Sequence, residues 1–317
     1  MVKHLLKVTD LTLSELWKVL KLTREIKASR KLGLALFPYL RGKRIALIFE
    51  KPSTRTRVSL AVAISDLGGY SLELEATKLQ LSRGESLEDT VKVLSNYVDA
   101  IVARVRSHDT LNLMAKYAKV PVVNALSDLV HPLQAISDMY TIWEVFGRLR
   151  GINLAFVGDG GDNVCHSLLL SSSMLGVNFR IACPKEYRPK KSILREALSN
   201  AEESGAEILV TEDPYEAVKG ADIIYTDVFV SMGFEEEKEE RLKVFLPKYR
   251  VSKLLLESTG RRTLFMHCLP ARRGEEVTSD IIDDTRISLI FQQAENRLYS
   301  AGAVLSILVG GGTSGIG

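Results

Sequence analysis

Short apolar runs alternate with longer stretches of helical character along almost the whole chain. Ile45–Phe49, Tyr70–Leu74, Ala100–Arg104 and Val120–Asn124 read as strands, and Thr54–Leu67, Leu87–Tyr97, Thr110–Ala118 and Pro132–Phe146 as helices. A second series has strands at Asn153–Val157, Asn178–Ala182, Glu207–Thr211, Ile223–Thr226, Thr263–Met266 and Ile287–Phe291. Such alternation predicts an α/β protein of parallel sheets flanked by helices, because parallel neighbours need crossover connections. Two series in 317 residues suit two domains. The break falls between Phe146 and Gly151, giving domains over 1–147 and 148–294. A further helix is expected over 295–309, followed by a flexible glycine-rich tail over 310–317. Near the start, Thr12-Leu13-Ser14-Glu15 fits a capping box opening a helix to about Arg30.

Charge and cysteine content narrow the function. With 42 basic and 39 acidic residues the net charge is +3, which argues against a nucleic-acid or membrane-surface protein. Cys165, Cys183 and Cys268 are odd in number and widely spaced, so they suggest a reducing compartment rather than a disulfide framework. No paired-cysteine or HExxH spacing points to a metal, and none is expected. The first ten residues lack a signal-peptide core, and no apolar run approaches a membrane span. A cytoplasmic protein is expected.

The polar residues of interest lie where strands end, which is where open parallel sheets bind ligands. Ser53-Thr54-Arg55-Thr56-Arg57 starts a helix with hydroxyls and two arginines but no acid. A helix start normally attracts acids. Amide N–H groups, hydroxyls and a guanidinium there suit a phosphate-like dianion. Arg104 closes an apolar strand, where it either serves a site or reaches solvent. His131-Pro132-Leu133-Gln134 opens another helix, with Pro132 at the favoured first position. The helix dipole disfavours a cationic His131, leaving a neutral donor for a carbonyl oxygen, unless the residue only caps. Asp227 suits a cationic amine or a turn cap. Cys268, in His267-Cys268-Leu269-Pro270, is a reactive group or a small buried hydrophobe. Gly158-Asp159-Gly160-Gly161-Asp162-Asn163 occupies the place of a dinucleotide loop. Its spacing departs from GxGxxG, and two aspartates would repel a pyrophosphate. Asn163 could bind a substrate carboxylate instead.

Together these segments resemble the aspartate/ornithine carbamoyltransferase family from about Leu5 to Leu308. STRTR at Ser53 and HPxQ at His131 are similar to its carbamoyl phosphate motifs. DxxxSMG from Asp227 and HCLP from His267 point to the ornithine branch. The resemblance implies two α/β domains, with a final helix that returns to the first. It also implies a homotrimer, or a multiple of trimers, and no cofactor or metal. Ser53, Thr54, Arg55 and Thr56 would hold the phosphate, with Gln80 and Arg297 as further contacts. Arg104, His131 and Thr56 would polarise the carbamoyl carbonyl, and Gln134 would lie near its amide. Asn163, Asp227, Ser231 and Met232 would bind ornithine, and Cys268 and Leu269 would meet both substrates. The family's catalytic set then falls on Arg104, His131, Asp227 and Cys268. The expected reaction carries the carbamoyl group of carbamoyl phosphate to the δ-amine of ornithine. Another amine acceptor such as putrescine, or a nicotinamide-dependent reaction on the Gly158 loop, are the alternatives.

Overall fold

The computed structural model describes residues 2–50, 53–76, 84–230 and 235–310. The glycine-rich tail beyond 310 lies outside the described residues. The chain forms two compact units, one of Met1–Tyr140 with Glu295–Gly317 and one of Thr141–Ala294.

Unit 1 begins with α1 (Leu13–Lys31), whose N-cap Thr12 accepts from the Glu15 amide at 3.2 Å while Glu15 accepts from the Thr12 amide at 2.8 Å. Strands β1 (Arg44–Phe49), β2 (Tyr70–Glu75), β3 (Ala100–Arg104) and β4 (Val122–Leu126) pair in the order β2-β1-β3-β4, all parallel. Helices α2 (Thr54–Asp66), α3 (Leu87–Leu94), α4 (His108–Tyr117) and α5 (Pro132–Phe146) follow the four strands in turn. Every residue of β3, and all of β1 after Arg44, is buried. Each large aliphatic side chain so enclosed stabilises the fold by roughly 1.5–3 kcal/mol. Strand β4 starts two residues later than its apolar run suggests, because Pro121 has no N–H for the ladder.

Unit 2 carries β5 (Asn153–Val157), α6 (Asn163–Leu175), β6 (Asn178–Ala182), α7 (Lys191–Ser204), β7 (Ile208–Thr211), α8 (Pro214–Val218), β8 (Ile223–Thr226), α9 (Lys238–Phe245), α10 (Lys253–Glu257), β9 (Leu264–His267) and α11 (Ser279–Ile282). Its five strands pair in parallel as β7-β6-β5-β8-β9. Ile287–Phe291 is not the expected strand: only Ser288 bridges to Phe265, and the chain enters α12 (Ile290–Val309) at Ile290.

From Glu295 onward α12 belongs to unit 1. There Lys27 Nζ donates to Asn296 Oδ1 at 2.8 Å, and Lys31 pairs with Glu295 at 2.6 Å. Gly302 makes the approach close: a Cβ on it would stand 3.0 Å from Leu67 Cδ1 and 3.6 Å from Ala63 Cβ. Gly302→Leu should overfill this contact and cost about 1–3 kcal/mol, read as a lower denaturant midpoint. An unchanged midpoint would show that the α12 contact has slack.

Candidate active site

In unit 1 the polar groups gather at the carboxyl ends of the strands. Ser53 caps α2 by accepting from the Thr56 amide at 3.4 Å, and the first turn holds no acid. Thr54 and Arg55 are exposed there, whereas Thr56 is buried. Arg104 is held at the end of β3 by pairing opposite Phe49, beside a shift of register against β4. Such irregularities re-aim side chains. His131 stands at the step into α5, and Arg297 reaches from α12 to donate to Thr56 Oγ1 at 2.9 Å. Arg104, His131 and Arg297 are all buried. Thr56, accepting from Arg297, keeps its own hydroxyl proton to donate.

Burial pushes the His131 pKa well below its ordinary value, and Arg297, Arg104 and Arg55 push the same way. The imidazole is therefore neutral. Desolvation and three guanidiniums cause this, where the sequence pointed to the helix dipole. Gln134 is fully buried, and its Nε2 donates to Asp138 Oδ1 at 2.8 Å. Gln80 lies outside the described residues.

Unit 2 gathers acid and sulfur at its strand ends. Asn163 opens α6 behind Asp162, whose carboxylate accepts from the Val164 amide at 2.7 Å. Asp227 follows β8, is buried, and accepts from the Val228 amide at 2.7 Å. Burial raises its pKa well above the usual carboxyl range and Asp162 adds to this, while a hydrogen bond from Cys268 opposes it. Cys268 and Leu269 follow β9, with Leu269 at φ 59°, a conformation that a bulky side chain adopts only under constraint. The constraint is visible. His267 Nδ1 accepts from the Leu269 amide at 2.9 Å, and its Nε2 lies 3.1 Å from Glu276 Oε1. The same Glu276 oxygen accepts from the Arg272 amide at 2.6 Å. Gln293 accepts from the His267 amide at 3.0 Å and donates to the Tyr225 hydroxyl at 2.9 Å. Ser231 and Met232 lie outside the described residues.

Among the described residues, Asp227, His267 and Cys268 form a group whose donor atoms lie within 4.8 Å of one another. Both imidazole nitrogens are already engaged by Leu269 and Glu276, and Cys268 hydrogen-bonds Asp227, so the trio is not an open ligand set. The Gly158 loop likewise has no cradle for a pyrophosphate. Asp162 occupies the first amides of α6, and Asp159 forms a buried ion pair with Arg241. A Cβ at Gly160 would stand 2.7 Å from Tyr187 O and 2.8 Å from Cys183 Sγ, so the loop is packed against protein. Asp138, Arg241, Glu276 and Gln293 escaped the sequence reading. Only Asp138, one helical turn beyond Gln134, left a spacing that could have revealed it.

One parallel sheet ends in guanidiniums and hydroxyls and the other in a buried carboxyl and a thiol, an arrangement that fits a two-domain α/β transferase. Residues 3–144 match the carbamoyl-phosphate-binding domain of the aspartate/ornithine carbamoyltransferases and residues 150–308 match their Asp/Orn-binding domain, so the chain belongs to that family. It is 50% identical to the ornithine carbamoyltransferase of Hyperthermus butylicus over 97% of each chain. It is 48% identical to the anabolic ornithine carbamoyltransferase of Pyrococcus furiosus over 98% of this chain and 97% of that one. The solved ornithine carbamoyltransferase structure from P. furiosus superimposes with a TM-score of 0.93, covering 98% of each chain.

The Asp227 shift sets a stability test. Its folded pKa lies above the unfolded value of about 3.9, so the neutral carboxyl is fully tolerated below that pH, and stability is lost as pH rises toward the folded pKa. Asp227→Asn keeps the acceptor for Val228 and cannot ionise. It should raise the thermal midpoint at pH 8, by a margin that shrinks toward pH 4, while abolishing ornithine turnover. A lower midpoint at pH 8 would contradict the assigned protonation.

Proposed function

We propose that the chain transfers the carbamoyl group of carbamoyl phosphate to the δ-amine of L-ornithine, giving L-citrulline and phosphate. The observation that carries this reading is the convergence of Arg55, Arg104 and Arg297 on the buried, neutral His131. Phosphate binds the start of α2 through Ser53, Thr54, Arg55 and Thr56, with Gln80 and Arg297 as further contacts. Arg104, His131 and the Thr56 hydroxyl donate to the carbamoyl oxygen and meet the negative charge that grows there. Gln134 binds the carbamoyl NH2. Asn163, Asp227, Ser231 and Met232 hold ornithine, and Cys268 and Leu269 contact both substrates.

The amine nitrogen attacks the carbonyl carbon, the bond from that carbon to the phosphate oxygen breaks, and phosphate leaves with the electron pair. The nitrogen loses a proton on the way. A free δ-amine is protonated near pH 7, as lysine is. The site therefore selects the neutral amine or promotes its deprotonation, with Asp227 and Cys268 orienting it. Positioning and electrostatics supply the rate, without a covalent enzyme intermediate. The family's homotrimer, the biosynthetic direction toward arginine and a cytoplasmic location belong to the same reading. Among the described residues no helix is long and apolar enough to cross a membrane.

Citrulline-type product formation with ornithine, putrescine, aspartate and N-acetylornithine tests the acceptor: turnover with ornithine is expected, and turnover only with another amine would overturn that half. Arg55→Ala should weaken carbamoyl phosphate binding by about 1.5–3 kcal/mol, as expected for a lost charged hydrogen bond. Wild-type affinity in this variant would remove Arg55 from the phosphate site.

A further inference from the structure

Gln134 and Asp138 lie four residues apart on α5 and share a face. Both are fully buried. Gln134 Nε2 donates to Asp138 Oδ1 at 2.8 Å. Asp138 Oδ1 accepts in this contact, whereas a primary amide can donate from one end and accept at the other. The contact therefore selects one orientation of the Gln134 amide, with nitrogen toward Asp138 and carbonyl oxygen away from it. That oxygen is buried and has no hydrogen-bond partner among the described residues. A buried acceptor left unmet is costly and marks a place where a donor is expected to arrive.

We infer that Asp138 is a positioning residue that sets the polarity of Gln134 and so makes the site demand an N–H donor on the acyl group of the donor substrate. The inference rests on the carbamoyl phosphate reading above. His131 and the guanidiniums donate to the carbonyl oxygen, and an amide with the opposite orientation would add a further donor facing the carbamoyl NH2. With Asp138 in place, Gln134 Oε1 accepts from that NH2 instead. Acetyl phosphate has nearly the same shape and charge but carries a methyl group there. A site whose buried acceptor is satisfied by one ligand and left bare by the other discriminates strongly between them. Asp138 thus acts on the choice of acyl phosphate without touching it.

The test is a reciprocal exchange read by steady-state kinetics. KM for carbamoyl phosphate is measured with inhibition constants for acetyl phosphate and inorganic phosphate, in the wild type, Asp138→Asn, Gln134→Glu and the double variant. Asp138→Asn gives the Gln134 amide a choice of orientation and should raise KM for carbamoyl phosphate by about 10- to 100-fold, with both inhibition constants unchanged. Gln134→Glu places two carboxylates face to face and should lose at least as much. In the double variant the amide and the carboxylate have exchanged places, so the amide at position 138 donates to the carboxylate at position 134. The second oxygen of that carboxylate is again an acceptor, and carbamoyl phosphate binding should recover above either single variant. Asp138→Asn with wild-type KM would overturn the inference. So would equal weakening of all three ligands without recovery in the double variant, which marks a purely structural role. A wild-type protein that carbamoyl phosphate neither serves nor inhibits would instead remove the reading on which the inference rests.

Discussion

Strands buried on both faces leave a chain nowhere to place polar chemistry except beyond the strand ends. Both sheets here are parallel throughout, and strands such as β3 and β5 are enclosed along nearly their whole length. Each residue of the proposed site accordingly sits at a carboxyl end or at the start of the helix that follows. In unit 1 these are the α2 cap, Arg104 and His131. In unit 2 they are Asn163, Asp227 and the Cys268–Leu269 turn. Arg297 is the exception, delivered by a helix from the far end of the sequence, and it is tied to the α2 segment through Thr56.

The two units carry opposite polarity. Removing an ion from water costs several kcal/mol unless something offsets it. Unit 1 buries guanidiniums around a histidine kept neutral first by burial and then by their charge, an arrangement suited to receiving a dianion. Unit 2 buries a carboxyl whose pKa is pushed well above the usual range, first by burial and then by a second carboxylate. A cation arriving there would favour the charged form of that carboxyl. The polar turn after β9 is secured by His267, Glu276 and Gln293, which together hold Leu269 in its left-handed conformation.

Much of this was legible in the sequence, for physical reasons. Parallel strands are short apolar runs and their helices begin with caps, so the alternation could be read directly. The arginines of the Ser53 segment stood out because they contradict the helix dipole. The errors have equally specific causes. Pro121 displaced the start of β4, and the apolar run Ile287–Phe291 was really the approach to a helix, a distinction that periodicity cannot make over so few residues. Arg241, Glu276 and Gln293 were invisible because their partners are distant in sequence or obey no periodicity. The Arg241–Asp159 pair spans 82 residues, and the Gln293–Tyr225 bond spans 68.

The return of α12 has a consequence for how the protein is made. Unit 2 is complete once Ala294 has been synthesised, whereas unit 1 waits for Glu295 to Val309. A nascent chain that already holds the whole first sheet lacks Arg297 and the helix that packs on Leu67 and Ala63. Order of synthesis is thereby inverted relative to order of completion: the first domain to leave the ribosome is the last to be finished. An incomplete chain carries the start of α2 without the arginine that donates to Thr56, so the proposed phosphate site is assembled only once Arg297 has been made.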